Sequence, residues 1–273
     1  MKKVYAMFFS PTGNTRRAVI SVASGIAGAL GTAYECIDFT LLLLKGVEYT
    51  FSEDDIVIIG CPTYAGRIPN KILPFVKENI SGCGAYCITL VTYGNRAYDD
   101  SLKELSYLMN MNGFKVAAAA AVPAEHAFVS ELATGRPNET DINKLEEFGQ
   151  NIATGILSGL ANEEIISKIP GRDFADMKYY VPLKENGEPA VFLKAMPVTD
   201  SLLCTKCGKC AEVCPMGCFT ESYTEPKGVC IKCQACIKVC DAGAKSFDNP
   251  DFCSHRDYLR NNYSKTIKET EIY

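Results

Sequence analysis

Tryptophan is missing from all 273 residues, and histidine occurs only twice, at His126 and His255. A planar ligand would therefore have to be walled by tyrosine or phenylalanine. His126 stands alone and reads as structural, with no proton-transfer role assigned, and His255 and Cys253 lack partners at ligand spacing. Long apolar runs are also missing: no stretch approaches the roughly 18 residues needed to span a bilayer as a helix. Met1-Lys2-Lys3 resembles the start of a secretory signal, but the apolar run behind it stops at Phe9 and is followed by Ser10-Pro11-Thr12-Gly13. Charge of one sign is scarce as well. A net charge of -4 and a pI near 5.4 give no reason to expect nucleic acid or a membrane surface as partner. The chain has neither a P-loop nor a G-x-G-x-x-G dinucleotide turn followed by an acidic residue.

Cysteine is abundant instead. Nine of the fourteen cysteines lie between Cys204 and Cys240. Cys204, Cys207, Cys210 and Cys214-Pro215 form C-x2-C-x2-C-x3-C-P, and Cys230, Cys233, Cys236 and Cys240 repeat the spacing twenty-six residues later. The repeat extends to Lys206/Lys232, Val213/Val239 and Gly217/Gly243, which makes it an internal duplication; Asp241 stands at the second proline position. Structural zinc uses pairs of C-x2-C and has no need of the third closely spaced cysteine in each run, so the spacing favours iron–sulfur ligation. Clustered thiols without a signal peptide point to a reducing cytoplasm rather than a secreted disulfide framework. Cys218 reads as a small buried residue, and Cys36, Cys61, Cys83 and Cys87, which show no ligand spacing with one another, read as small apolar residues.

Ahead of the cysteines the chain alternates short apolar runs with helical patterns, which implies a parallel α/β sheet. Strands are expected at Val4–Phe9, Ala33–Ile37, Ile56–Gly60, Ala85–Thr92 and Lys115–Val122. Helices are expected at Arg16–Leu30, Asn70–Asn79, Asp99–Asn112 and Asp141–Leu160. Gly25 and Gly28 read as helix-packing positions, and Gly31 as the stop of the first helix. The loop Ser10, Pro11, Thr12, Gly13, Asn14, Thr15 puts hydroxyls and free backbone N–H groups at a strand-to-helix junction, where a phosphate binds. Two further strands exit into loops that carry aromatics: Cys61, Pro62, Thr63, Tyr64, Ala65, Gly66, and then Thr92, Tyr93, Gly94, Asn95, Arg96, Ala97, Tyr98. In an open α/β sheet, ligands bind beyond the carboxyl ends of the strands, so the three loops define one candidate site with Tyr64, Tyr93 and Tyr98 as ring walls. Pro123–Thr140 is too long for an ordinary connection and reads as functional or mobile.

These motifs carry a resemblance. Ser10–Thr15 is similar to the flavodoxin phosphate loop, Gly60–Gly66 resembles the loop that lies along the flavin ring, and residues 201–248 resemble bacterial two-cluster ferredoxins. Thr92–Tyr98 and Gly135-Arg136-Pro137 are particularly like proteins in which a flavodoxin-like domain precedes such a ferredoxin. The resemblance implies a doubly wound five-stranded sheet of order 2-1-3-4-5 over residues 1–160 and a cluster domain over 201–248. The shift to Pro, Gly and charge, with turn signals such as Asn186-Gly187, makes 161–200 a linker with one hairpin, and Asn249-Pro250 opens a terminal helix and tail over 249–273 laid against the cluster domain. The resemblance implies FMN held by Ser10, Thr12, Gly13, Asn14, Thr15, Pro62, Thr63, Tyr64, Gly66, Thr92, Tyr93, Gly94, Asn95 and Tyr98. It also implies two [4Fe-4S] clusters with crossed ligation: Cys204, Cys207, Cys210 and Cys240 on one, and Cys230, Cys233, Cys236 and Cys214 on the other. The function expected is electron transfer between FMN, the clusters and a redox protein partner, most fitting in an anaerobe. The alternatives are an FMN-dependent reductase of a small organic acceptor fed through the clusters, and a scaffold that has lost its flavin. Oligomeric state is left open.

Overall fold

A computed structural model describes residues 2–41, 46–158, 164–219 and 222–273. Five parallel strands form the centre of the molecule: β1 Lys3–Phe8, β2 Tyr34–Asp38, β3 Asp55–Pro62, β4 Tyr86–Tyr93 and β5 Lys115–Pro123. Their order, β2-β1-β3-β4-β5, is that of flavodoxin. Near-continuous apolar sequence makes strands buried on both faces, with alternate side chains serving opposite layers. Val4, Ala6, Ile56, Ile58, Ile88 and Leu90 pack under helices α1 (Asn14–Leu30) and α4 (Glu139–Leu157). Met7, Val57, Ile59, Cys87 and Val91 face the other layer, which holds α2 (Leu73–Glu78) and α3 (Ser101–Met111). Gly25 is where α1 and α4 meet: a Cβ there would lie 2.1 Å from the Glu146 carbonyl oxygen. Gly28 faces open space, so the packing reading fails for it, whereas Gly31 ends α1 in the left-handed conformation. Helix α4 begins at Glu139 behind a capping box of Asn138 and Asp141. The expected end of that helix at Leu160 and the start of the linker at Ala161 lie outside the described residues.

Among the described residues the sheet carries a sixth strand beside the five parallel ones. Glu271–Ile272 adds antiparallel to β5 as an edge strand, β6. The tail is therefore not laid on the cluster domain alone; it returns to the first domain. Helix α5 (Pro250–Tyr263), capped by the Asn249 side chain on the Phe252 N–H at 3.0 Å, straddles the two halves. Its Phe252 packs with Phe247 and Ala195, and its Leu259 with Val129 and Leu132 of the loop after β5.

The segment expected as a linker is a strap across the sheet's carboxyl end. The Tyr180 N–H donates to the Ala65 carbonyl at 2.7 Å, the Tyr179 hydroxyl donates to the Ile68 carbonyl at 3.1 Å, and Arg172 pairs with Asp100. It contains one hairpin, closed by a bridge between Leu183 and Pro189. The cluster unit starts before residue 201, since Val198–Thr199 pairs antiparallel with Lys245–Ser246. Its duplication is visible in the backbone: Lys206 and Lys232 have φ of 56° and 57°, and Gly217 and Gly243 have 62° and 63°. Among the described residues no helix is long and apolar enough to cross a membrane.

Candidate functional site

A single cavity collects the three loops at the carboxyl ends of β1, β3 and β4. Of the residues expected to bind the cofactor, Thr12, Asn14, Thr15, Pro62, Thr63, Tyr64, Gly66, Thr92, Tyr93 and Gly94 line it. Gly13, at φ 88°, is the turn into α1, and the Ser10 hydroxyl accepts the Arg16 N–H at 3.0 Å, so these two shape the loop from behind the lining. The Thr15 hydroxyl lies 2.7 Å from that of Thr92, locking the loop to β4.

Two expected contacts point elsewhere. The Asn95 amide donates to the carbonyls of Tyr263 at 2.9 Å and Thr266 at 2.7 Å, which ties the third loop to the end of α5. The Tyr98 ring turns towards β6, its hydroxyl 2.7 Å from a Glu271 carboxylate oxygen and 2.8 Å from the Tyr273 hydroxyl. Both positions are set by the C-terminal return, which the loop motif alone does not announce.

Sequence reasoning passed over the other walls. His126 and Phe128 come from the loop after β5, Tyr180 and Phe192 from the strap, Lys232 from the cluster unit, and His255 from α5. Both histidines of the chain thus face one cavity. The His126 ring fills the place where a Cβ on Gly94 would sit, 2.1 Å from its Cδ2, which is why that loop position must be glycine. The Phe128 N–H donates to His126 Nδ1 at 3.0 Å, so the neutral ring carries its proton on Nε2. Burial first, and then the neighbouring His255, Arg96 and Lys238, push its pKa down to about 3. His255 Nδ1 lies 2.9 Å from the Leu183 carbonyl oxygen and so carries the proton; burial holds its pKa low, against that hydrogen bond. The cavity is therefore rimmed by two neutral imidazoles, one offering an N–H and the other a lone pair. Arg96 lies 4.0 Å from the centre of the Tyr180 ring.

Arg67 holds the second loop in place. Its guanidinium pairs with Glu104, whose carboxylate is fully buried and also accepts the Ile68 N–H at 3.1 Å, and it donates to the Met177 carbonyl of the strap at 3.2 Å.

The eight cysteines fall into two pockets. Cys204, Cys207, Cys210 and Cys240 line one; Cys230, Cys233, Cys236 and Cys214 line the other, with Cys218 beside them. The last cysteine of each run thus lies with the first three of the other, the arrangement that crossed ligation requires. The halves match in detail: the Cys218 N–H donates to Cys214 Sγ and the Ala244 N–H to Cys240 Sγ, each at 3.3 Å. Among the described residues no three His, Cys, Asp or Glu are placed to hold one metal ion. Two tetrads of thiols fit a cluster that bonds each thiolate to a different iron. The Cys218 sulfur lies 3.4 Å from the Val229 carbonyl oxygen, and its own N–H serves Cys214.

The two pockets differ in exposure. Cys207 is exposed at the first, whereas Cys233 and Cys236 are buried at the second. The second also adjoins the cavity. Ile231 lines both, and the Tyr64 hydroxyl has its pKa raised by burial and then by Cys233 and Cys230.

Residues 197–220 match the family model described as the 4Fe-4S binding domain. No curated protein matches the chain. Solved structures that resemble it include a flavodoxin from the domain Archaea, with 16% identity over 57% of this chain and 99% of that one and a TM-score of 0.42. Another is the rubredoxin oxygen:oxidoreductase of Desulfovibrio gigas, with 18% identity over 59% of this chain and 38% of that one and a TM-score of 0.40. A third is an NAD(P)H:quinone oxidoreductase from Methanothermobacter marburgensis, with 12% identity over 57% and 98% and a TM-score of 0.37. The strand order and the matched segment define the chain as a flavodoxin-like α/β domain followed by a 4Fe-4S ferredoxin domain.

Proposed function

We propose that this is an electron-transfer iron–sulfur flavoprotein, passing electrons between FMN and two [4Fe-4S] clusters to or from a redox protein partner. The observation that carries the reading is the shared wall: Ile231 belongs both to the cavity of the flavodoxin half and to the pocket of Cys214, Cys230, Cys233 and Cys236. FMN can take one or two electrons and each cluster takes one, so the set can join one- and two-electron partners.

On this reading the Ser10–Thr15 loop holds the phosphate with hydroxyls and amides at the start of α1. The loops at Pro62–Gly66 and Thr92–Gly94 supply apolar walls, and Tyr64 stands between the ring and the buried tetrad. The exposed tetrad, with Cys207 at the surface, supplies the contact for a partner. Strap and helix cover part of the cavity through Tyr180, Phe192 and His255.

That cover also supports a second reading, an FMN-dependent reductase of a small organic acceptor admitted beneath the strap. Stopped-flow mixing of the oxidised protein with NADH, NADPH and a reduced ferredoxin separates the two. The carrier reading expects fast reduction by ferredoxin alone; flavin bleaching by either dinucleotide at the same rate would sink it.

A further inference from the structure

Among the described residues, two buried lysines of the cluster half have no acid beside them. Lys232 is 9% exposed and Lys245 5%. The Lys232 ammonium donates to the carbonyls of Leu193 and Cys230, the latter at 3.0 Å. The Lys245 ammonium donates to the Thr199 hydroxyl at 2.6 Å and to the Tyr223 carbonyl, and it lies 4.0 Å from the centre of the Phe219 ring. Every one of these partners is neutral, and among the described residues neither lysine forms an ion pair. A buried cation without a counter-charge is costly and is kept only where a compensating anion is present. Lys206, the duplicate of Lys232, is exposed, so the repeat by itself does not demand burial of this side chain.

The places these lysines occupy identify the anion. Lys245 lines the pocket of Cys204, Cys207, Cys210 and Cys240, and Cys210 packs in one apolar cluster with Cys236 of the other tetrad. Lys232 lines the flavodoxin cavity, while its own N–H donates to Cys230 Sγ at 3.3 Å. Each ammonium therefore stands at a junction between neighbouring sites. Four thiolates around an iron–sulfur core leave a net negative charge, which each added electron increases.

We propose that Lys245 and Lys232 are the resident counter-ions of the redox centres, Lys245 between the two cluster sites and Lys232 between the buried cluster site and the flavin cavity, and that their charges raise the reduction potentials on either side. The inference rests on the electron-transfer reading above. It makes the two lysines determinants of how readily electrons are held at each junction, without contact to any partner protein.

The test uses the full chain loaded anaerobically, with iron and flavin counted before a redox titration followed by electron paramagnetic resonance and flavin absorbance. Lys245→Met should lower both cluster midpoints, and Lys232→Met should lower that of the cluster on Cys214, Cys230, Cys233 and Cys236 together with that of the flavin. The expected change is at least tenfold in the reduced-to-oxidised ratio at fixed poise, which is about 59 mV for a one-electron couple. Lys194→Met, at an exposed lysine that lines neither cysteine pocket, should leave all midpoints in place. Unmoved midpoints in fully loaded Lys232→Met and Lys245→Met proteins, or an equal shift in Lys194→Met, would overturn the proposal. If a Met variant loses iron, the Arg variant decides: full loading with the original midpoints supports the role of charge, and failure to load overturns it. Wild-type protein that takes up no clusters would instead overturn the electron-transfer reading itself.

Discussion

The Lys238 ammonium of the cluster half lies 2.9 Å from the Glu125 carboxylate, which belongs to the loop after β5 and lines the flavodoxin cavity. This pair joins the two halves beside the site, and Lys238 is the main reason that the Glu125 pKa is lowered, ahead of the opposing effect of burial. A lowered carboxylate pKa contributes stability that is present above the unfolded value, near 4.5, and is lost as pH falls through the folded value. Lys238→Met should therefore lower the thermal midpoint at pH 7, where the partly exposed pair is worth at most about 1 kcal/mol, and the difference from wild type should vanish in acid. Melting curves of both proteins across pH 3 to 7 measure it; a difference that persists in acid would remove the ion pair as its cause.

His126 adds a second acid sensitivity. Its folded pKa is about 3 against an ordinary 6.5, so the unfolded chain binds the extra proton between those values and stability falls as pH drops below about 6.5. One group contributes at most about 1.4 kcal/mol per pH unit. His126→Phe should flatten the pH dependence of unfolding in this range, and an unchanged slope in denaturant titrations would contradict it.

Crossed ligation has its own signature. The loaded protein should contain about eight irons and eight sulfides. Cys214→Ser should damage the cluster held by Cys230, Cys233 and Cys236, whereas Cys218→Ala should leave both intact. Iron analysis with paramagnetic resonance reads the outcome, and loss confined to the cluster of Cys204, Cys207 and Cys210 in Cys214→Ser would show the assignment to be uncrossed.

Thr12 and Thr15 should separate by ligand. Thr12→Ala is expected to weaken FMN binding by about 0.5–2 kcal/mol while leaving riboflavin, which has no phosphate, nearly unchanged. Thr15→Ala should also cost stability, about 0.5–1.5 kcal/mol, because its hydroxyl is the partner of Thr92. Fluorescence titrations with both flavins check this; equal losses for the two in Thr12→Ala would remove the loop from the phosphate site.

Arg67→Ala should be among the more damaging changes near the cavity. It leaves the fully buried Glu104 carboxylate without its cation, a loss of about 3–5 kcal/mol. Adding Glu104→Gln should restore much of that loss in urea denaturation. No recovery in the double variant would mean that Arg67 acts chiefly through its contacts with Met177 and the Tyr179 ring, 4.9 Å away.

Much of this was legible in the chain because the chemistry is local. A phosphate loop must fit its ligand within six consecutive residues, and a cysteine run must wrap one cluster, so both leave fixed spacings; burial of β1, β3 and β4 on both faces leaves apolar runs. The rest depends on long-range contact. The walls at Phe128, Tyr180, Phe192 and His255 come from three separate segments that share no spacing, and β6 has only two residues, too few for any periodicity. Lys232 could be read as half of a duplicated pair, but nothing in the repeat distinguishes the buried copy from the exposed Lys206. One signal was available for the missed walls. A chain with only two histidines places both on one cavity, and scarcity of that kind marks a residue type worth following.

Strand β6 makes the cluster unit an insertion between two parts of one sheet. Residues 198–246 leave the first domain through the strap and are followed by a helix and a strand that belong to it again. During synthesis β5 therefore waits with an open edge until the cysteine runs have been made, and the antiparallel pairing of Glu271–Ile272 with Ala120–Ala121 is reached only afterwards. Completion of the first domain is in this way tied to the arrival of the second. The cluster unit, held at both of its ends, keeps a high effective concentration at the cavity that a carrier on a single flexible tether would not reach.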